Sequence, residues 1–134
     1  MCKMEFVVKR SKWRAGDDGV NAIGKGETNL LNEEGFMCCL GHCALQLGAK
    51  KSEIDGQAMP KDILDKNDAF KYVPILNVKK GEFINDSKLS EQAATINDDD
   101  KLTTEQRERK LKSLFSKFKH SITFVGKAVP FKSA

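Results

Sequence analysis

The chain has 134 residues, of which 40% are hydrophobic and 31% charged, a balance typical of one folded globular domain. No apolar stretch approaches the roughly 18 residues of a membrane-spanning helix, and the first residues contain no hydrophobic signal segment. We therefore expect a single domain over residues 1–134, located in the cytoplasm and without a membrane partner.

The net charge of +4 conceals an uneven distribution. Residues 1–14 sum to +4, residues 15–104 to −6 and residues 105–134 to +6. If both basic ends share one face, that face suits nucleic acid or an acidic protein. A lysine-rich surface that is simply solvated is the alternative.

The N-terminal segment combines a predicted strand with a basic cluster. Residues 4–10 are rich in β-branched and aromatic side chains and predict a strand. The candidate binding residues follow along the chain: Lys9, Arg10, Lys12, Trp13, Arg14 and Lys25. In a nucleic-acid site Trp13 would stack on a base while the cations hold phosphates. In a structural role its ring would close one end of the core with the N–H at the surface.

Residues 15–27 contain four glycines and predict a mobile loop. Residues 19–26 nearly match a phosphate-binding loop. However, Gly26 stands where a Ser or Thr would bind magnesium, and no helix is predicted to follow. The sequence therefore argues against nucleotide hydrolysis, while a small-ligand site at this loop stays an alternative.

Residues 28–39 predict a β-hairpin whose polar turn ends at Gly35. Apolar residues then recur with helical spacing, and Gly48 is the expected cap. This helical stripe consists of Leu40, Cys43, Ala44 and Leu47.

The cysteines of this region raise the question of a metal site. The candidate zinc ligands are Cys38, Cys39, His42 and Cys43. Structural zinc sites usually take two ligand pairs from separate segments, and a second pair is missing here. Buried, reduced core thiols are therefore favoured over zinc, and no other cofactor is expected. A nucleophilic Cys39–His42 pair lacks an orienting acid and an oxyanion hole, so the sequence does not favour an enzyme.

The C-terminal half is more regular. A helix is expected from Asp86 or Ser87 to about Ile96, and a capping box of Thr103 with Gln106 begins the next. That second helix has the apolar stripe Leu111, Leu114, Phe115 and Phe118. Residues 121–125 alternate as a last strand, and residues 126–134 predict a loose tail.

These elements together predict an α+β fold, with a small, mainly antiparallel sheet and three or four helices packed on one side. Residues 49–86 give no clear pattern.

Several patches resemble a family of small proteins encoded by bacteriophages and prophages. The patches are a basic Ser-x-Trp start at 10–13, Leu30-Leu31 followed by Gly35, and Cys-Cys-Leu-Gly at 38–41. Residues 96–98, 105–108 and 114–115 resemble the second half of that family. The resemblance implies a phage gene and a host cytoplasm, but no enzymatic activity. His42 departs from it, because the family has an apolar aromatic residue there.

The resulting functional hypothesis is a phage accessory protein that binds and modulates a host protein without catalysis. Nucleic-acid binding through the basic N-terminal segment and the C-terminal helix is the first alternative. Binding of a small ligand or a metal is the second.

Overall fold

In the computed structural model, the described residues are 5–16, 20–46, 50–57, 84–118 and 120–131. They form two strands and four helices, with a 3-10 turn at Arg10–Lys12. The elements are β1 (Glu5–Lys9), α1 (Cys39–Gln46), α2 (Lys51–Ile54), α3 (Ile84–Asp98), α4 (Thr104–Lys117) and β2 (Ser121–Val125). Most of the segment without a clear pattern lies outside the described residues, as do residues 17–19 near the start of the glycine-rich loop and residues 132–134. No helix within these ranges is long and apolar enough to cross a bilayer.

The sheet contradicts the predicted fold class. Strands β1 and β2 pair in parallel, with a register that runs from Glu5 opposite Ser121 to Lys9 opposite Val125. The prediction of a mainly antiparallel sheet is wrong, because the sheet that the described residues form has two strands and both run in the same direction. The two strands come from opposite ends of the chain, and a parallel pair requires a long crossover. The helical part of the chain supplies that crossover.

The strands predicted for the hairpin over residues 28–39 are wrong, since neither arm forms one. The arms are nevertheless joined across the turn by two backbone hydrogen bonds, from Asn32 N–H to the Phe36 carbonyl at 2.9 Å and from Cys38 N–H to the Asn29 carbonyl at 3.0 Å.

The buried side chain of Asn32 organises the segment. Its Oδ1 accepts hydrogen bonds from the backbone N–H of Glu34 and Phe36, at 2.9 and 3.0 Å. Its Nδ2 donates to the carbonyls of Lys25 and Glu27, at 2.6 and 2.8 Å. These bonds close the backbone into a loop around one amide group.

Gly41 allows the first arm of that loop, residues 28–31, to lie directly against α1. A Cβ atom at Gly41 would stand 1.9 Å from the carbonyl oxygen of Leu30. The backbone at Leu30 therefore rests directly on α1, an approach that only glycine permits. The Leu30 N–H donates to the carbonyl of Gln57 at 2.8 Å, so the arm is also bonded to the segment that follows α2.

The core lies between one face of the sheet and the helices. Phe6, Val8, Ile122 and Phe124 alternate inward along the two strands and are buried. The ring of Phe6 meets Phe115 of α4 edge-on, with 6.0 Å between the centroids. The helices and strands predicted at 40–47, 103–118, 4–10 and 121–125 are confirmed within a few residues. The capping box of Thr103 and Gln106 is confirmed in both of its hydrogen bonds.

The glycine-rich loop and the C-terminal tail contact one another. Ile23 forms bridges with Ala15 on one side and with Pro130 on the other. The N–H of Gly24 donates to the carbonyl of Val129 at 2.6 Å. The described parts of the loop and of the tail are therefore tied to each other by backbone hydrogen bonds.

Candidate functional site

Trp13, the aromatic candidate for base stacking, is fully buried. Its ring packs against Phe124 with 4.8 Å between the centroids. Its Nε1 donates a 2.7 Å hydrogen bond to Oδ1 of Asn97, which is itself fully buried. Both the ring and its N–H therefore lie in the interior, and neither ring face is available to a nucleic-acid base.

The two arginines of the basic segment bind groups within the chain. Arg14 is 3% exposed, donates from Nε to the carbonyl of Gly26 at 2.6 Å, and stacks on Phe131 at 4.3 Å. Arg10 forms a two-pronged salt bridge with Glu108 of α4, with distances of 2.7 and 2.8 Å. That pairing raises the pKa of Arg10. These guanidinium groups stabilise the fold and are not free cations.

The three candidate lysines differ from the arginines, since Lys9, Lys12 and Lys25 are all exposed. Lys9 ends β1, and Lys12 lies in the 3-10 turn with its Nζ 5.7 Å from the centre of the Phe36 ring. The backbone bridge between Leu31 and Asp55 places α2 near this turn. Lys51, at the start of α2, lines the same surface groove as Lys9 and Lys12.

Lys9, Lys12 and Lys51 line an open surface groove of about 650 Å³, which we call the lysine groove. Its apolar lining is Leu31, Met37 and Leu45, and its acidic lining is Glu33 and Asp55. Lys25 is not part of the lining. The groove therefore combines cations, an apolar floor and a carboxylate rim, a mixture suited to a polypeptide segment with acidic and apolar residues.

The cysteines at the start of α1 are buried in the core. Cys39 and Cys43 are fully buried, and Cys38 is 5% exposed. Burial raises the pKa of Cys38 to about 12, and it raises the pKa values of Cys39 and Cys43 well above the ordinary thiol value. Because the thiolate is the reactive form, these cysteines are inert at neutral pH.

His42 is a neutral side chain of the interior. It is 4% exposed, and burial lowers its pKa to about 4. Its Nδ1 lies 3.1 Å from the carbonyl oxygen of Cys38, one helical turn earlier, and a neutral imidazole donates there. The carbonyls of Cys38 and Lys9 favour the charged form but do not offset the burial.

The geometry of α1 bears on the zinc and nucleophile hypotheses. Within the described ranges, no group of three or more His, Cys, Asp or Glu side chains is arranged to hold a metal ion. Cys39 directs its Sγ at the carbonyl oxygen of Ala93, 4.0 Å away, and not at His42. The preference for core thiols over a zinc site stays a prediction, which metal analysis would test.

Sequence reasoning missed Asn97, the polar centre of the core. Its Oδ1 accepts from Trp13 and from the backbone N–H of Cys39, and its Nδ2 donates to the carbonyl of Arg14. The available signal was its position four residues after Ala93, which places both on the buried face of α3. The neighbouring aspartates made the segment resemble a solvated turn.

Sequence reasoning also missed Arg107, a cation of α4 that is fully buried. Its Nη2 donates to the carbonyls of Asp99 and Leu102, at 2.9 and 3.0 Å, and both Nη atoms reach the carbonyl of Asn21. Burial lowers its pKa, and the carboxylates of the turn oppose that shift. Arg107 thus fastens the glycine-rich loop to the turn between α3 and α4.

Comparisons with protein-family models, with curated proteins and with solved structures give no match. The resemblance to phage-encoded proteins is therefore untested, and the site must be interpreted from its own geometry.

Proposed function

We propose that this protein is a non-catalytic binding protein that holds an acidic, partly apolar segment of another protein in the lysine groove. The observation that carries the proposal is the convergence of Lys9, Lys12 and Lys51 around an apolar floor. Cations at the wall recognise carboxylates, and the floor removes apolar side chains from water.

The chemistry of the remaining groups supports binding over catalysis. The thiols of α1 and the imidazole of His42 are the usual nucleophile and base types, and both are buried outside the groove lining. A catalytic base must reach the proton that it abstracts within hydrogen-bonding distance. These groups have no access to a ligand in the groove.

The resemblance to phage-encoded proteins extends the proposal to a host protein in the host cytoplasm as the partner. Modulation of a host protein needs only a stable complex, which a small domain with a binding groove can form. Nucleic-acid binding through the N-terminal segment is less favoured, because Trp13 and Arg14 are buried and Arg10 is paired with Glu108.

A defined peptide tests the groove directly. The probe is a short fluorescein-labelled peptide that alternates glutamate with leucine, and its control replaces each leucine by serine. We expect the first peptide to bind with saturable anisotropy and the second to bind at least about tenfold more weakly, since the apolar contribution is lost. Equal affinity for both peptides would show that the apolar floor is not used.

Charge reversal locates the binding site. Lys12→Glu combined with Lys51→Glu should weaken peptide binding about tenfold or more, because two attractive contacts become repulsive. The control is Lys25→Glu, which makes half of that charge change at an exposed lysine outside the groove lining and should change affinity by less than about threefold. A similar loss in the Lys25 variant would contradict the proposed site. Circular dichroism confirms that all variants are folded.

A further inference from the structure

The solvent side of α4 forms a second charged surface, separate from the lysine groove. From residue 109 to residue 117, every exposed residue is a cation or a serine. We call this surface the α4 cationic face; it consists of Arg109, Lys110, Lys112, Ser113, Ser116 and Lys117. The opposite side of the helix packs into the core through Leu111, Leu114 and Phe115.

The acidic residues of α4 do not neutralise this face. Glu108 is 8% exposed, and both of its carboxylate oxygens accept hydrogen bonds from the guanidinium of Arg10. Glu105 lies in the first turn, where it complements the helix dipole. Within α4, the cationic residues after Glu108 are therefore not neutralised by the acidic residues of their own helix.

The length of the α4 cationic face is suited to an extended polyanion. Residues 109–117 span about 12 Å along the helix axis. Over a similar length, duplex DNA presents about seven phosphate charges. A depression of about 500 Å³ beside the helix is lined by Leu102, Gln106, Arg109, Lys110 and Ser113. Its cations and its amide and hydroxyl groups are the types of group that contact phosphate oxygens.

We propose that the α4 cationic face binds the phosphate backbone of duplex nucleic acid, without regard to base sequence. A protein partner is less well matched, because the face lacks the aromatic or large apolar anchors that dominate protein interfaces. An anionic membrane is also a poorer match, since interfacial helices insert large apolar side chains from the same helix. The large exposed apolar side chains of the described residues are Val7, Val20 and Val125, none of them on α4.

The test measures binding of a fluorescein-labelled DNA duplex of about 20 base pairs at several salt concentrations. The wild-type protein should bind at about 50 mM salt, with an affinity that falls steeply as salt rises and that is the same for two unrelated sequences. Arg109→Glu combined with Lys110→Glu should weaken binding about tenfold or more. It should also reduce the slope of log affinity against log salt by about two, because two phosphate contacts are lost.

The matched control is the Lys12→Glu and Lys51→Glu pair, which changes the net charge by the same amount but lies in the lysine groove. It should change DNA affinity by less than about threefold, since exposed charges act mainly within a Debye length. Equal weakening by both pairs would show attraction by bulk charge and overturn the proposal. It would also be overturned by absence of binding at about 50 mM salt, or by tighter binding to vesicles of phosphatidylserine than to the duplex. Peptide binding in the groove is measured separately, so either proposal can fail while the other stands.

Discussion

Replacing Asn97 by alanine removes the polar centre of the core. Three buried groups lose their partner: the indole N–H of Trp13, the backbone N–H of Cys39 and the carbonyl of Arg14. Each unsatisfied buried group costs about 1–3 kcal/mol. A water molecule that enters the vacated space recovers part of that loss. We therefore expect Asn97→Ala to lower the free energy of unfolding by about 3–5 kcal/mol, a large share of the roughly 5–15 kcal/mol of a typical domain.

Urea unfolding at neutral pH measures this loss, with circular dichroism as the signal and the single tryptophan, Trp13, as a second probe. The matched control is Thr95→Ala on the same helix. Thr95 is exposed and its hydroxyl bonds only the Glu91 carbonyl in the described structure, so the change should stay within about 0.5 kcal/mol. If Asn97→Ala costs no more than Thr95→Ala, the three hydrogen bonds do not stabilise the fold and the reasoning is wrong.

The isosteric change Asn97→Asp separates hydrogen bonding from packing. The introduced carboxyl keeps both acceptor contacts but turns an oxygen toward the carbonyl of Arg14, and it buries a charge. Burial raises the pKa of such a carboxyl, so its penalty relative to wild type is largest at neutral pH and shrinks when acid protonates it. A penalty that does not change with pH would contradict this account.

Further predictions concern Gly41, His42 and the buried thiols. Gly41→Ala should destabilise the protein by about 2 kcal/mol or more, because the new Cβ meets the Leu30 backbone. In an exposed helix the same change stabilises by up to about 1 kcal/mol. Thermal unfolding therefore tests the prediction: a lower melting temperature supports the contact with Leu30, and a higher one contradicts it. His42 has a pKa of about 4 in the folded protein against an ordinary 6.5. The stability that depends on its neutral form is therefore fully present above pH 6.5 and is lost as the pH falls toward 4. The loss amounts to about 3 kcal/mol. In the His42→Gln variant, the free energy of unfolding should therefore depend less on pH between 6.5 and 4. The same pH dependence in both proteins would contradict a buried, neutral His42. In a Cys2→Ser background, Cys38, Cys39 and Cys43 should resist a disulfide reagent at about pH 8 in the native protein and react once urea unfolds it. Rapid reaction of the native protein in that background would refute their burial.

Local pattern was a good guide to the helices and to the edges of the sheet. The apolar spacing along residues 111–118 and the pairing of Thr103 with Gln106 act within a few residues, so α4 could be predicted with its cap. The α1 stripe likewise placed Cys43 in the core, and the structure buries it. The glycine of the Cys-Cys-Leu-Gly pattern was noticed but not explained, because its contact is the backbone of Leu30, eleven residues earlier.

The candidate site was only partly predictable. The basic segment was found, but composition could not distinguish exposed Lys9 and Lys12 from buried Arg14 or from Arg10, whose partner Glu108 is 98 positions away. Lys51 lies in the groove lining because it begins α2, a helix that no periodicity in the sequence indicated. Whether a cation is free depends on which distant group it meets, and that information is absent from a local window.

The sequence by itself determined where α1, α3 and α4 lie, that β-forming segments stand near both ends, and that the charge is basic at the ends and acidic between. Each of these properties depends on side chains near one another along the chain. Only the tertiary structure decided that β1 and β2 run parallel, that Asn97 and Arg107 belong to the interior, and that the basic side chains separate into structural arginines, a groove and a helix face. Those outcomes depend on pairing and desolvation between residues far apart in sequence, whose energies no local pattern encodes.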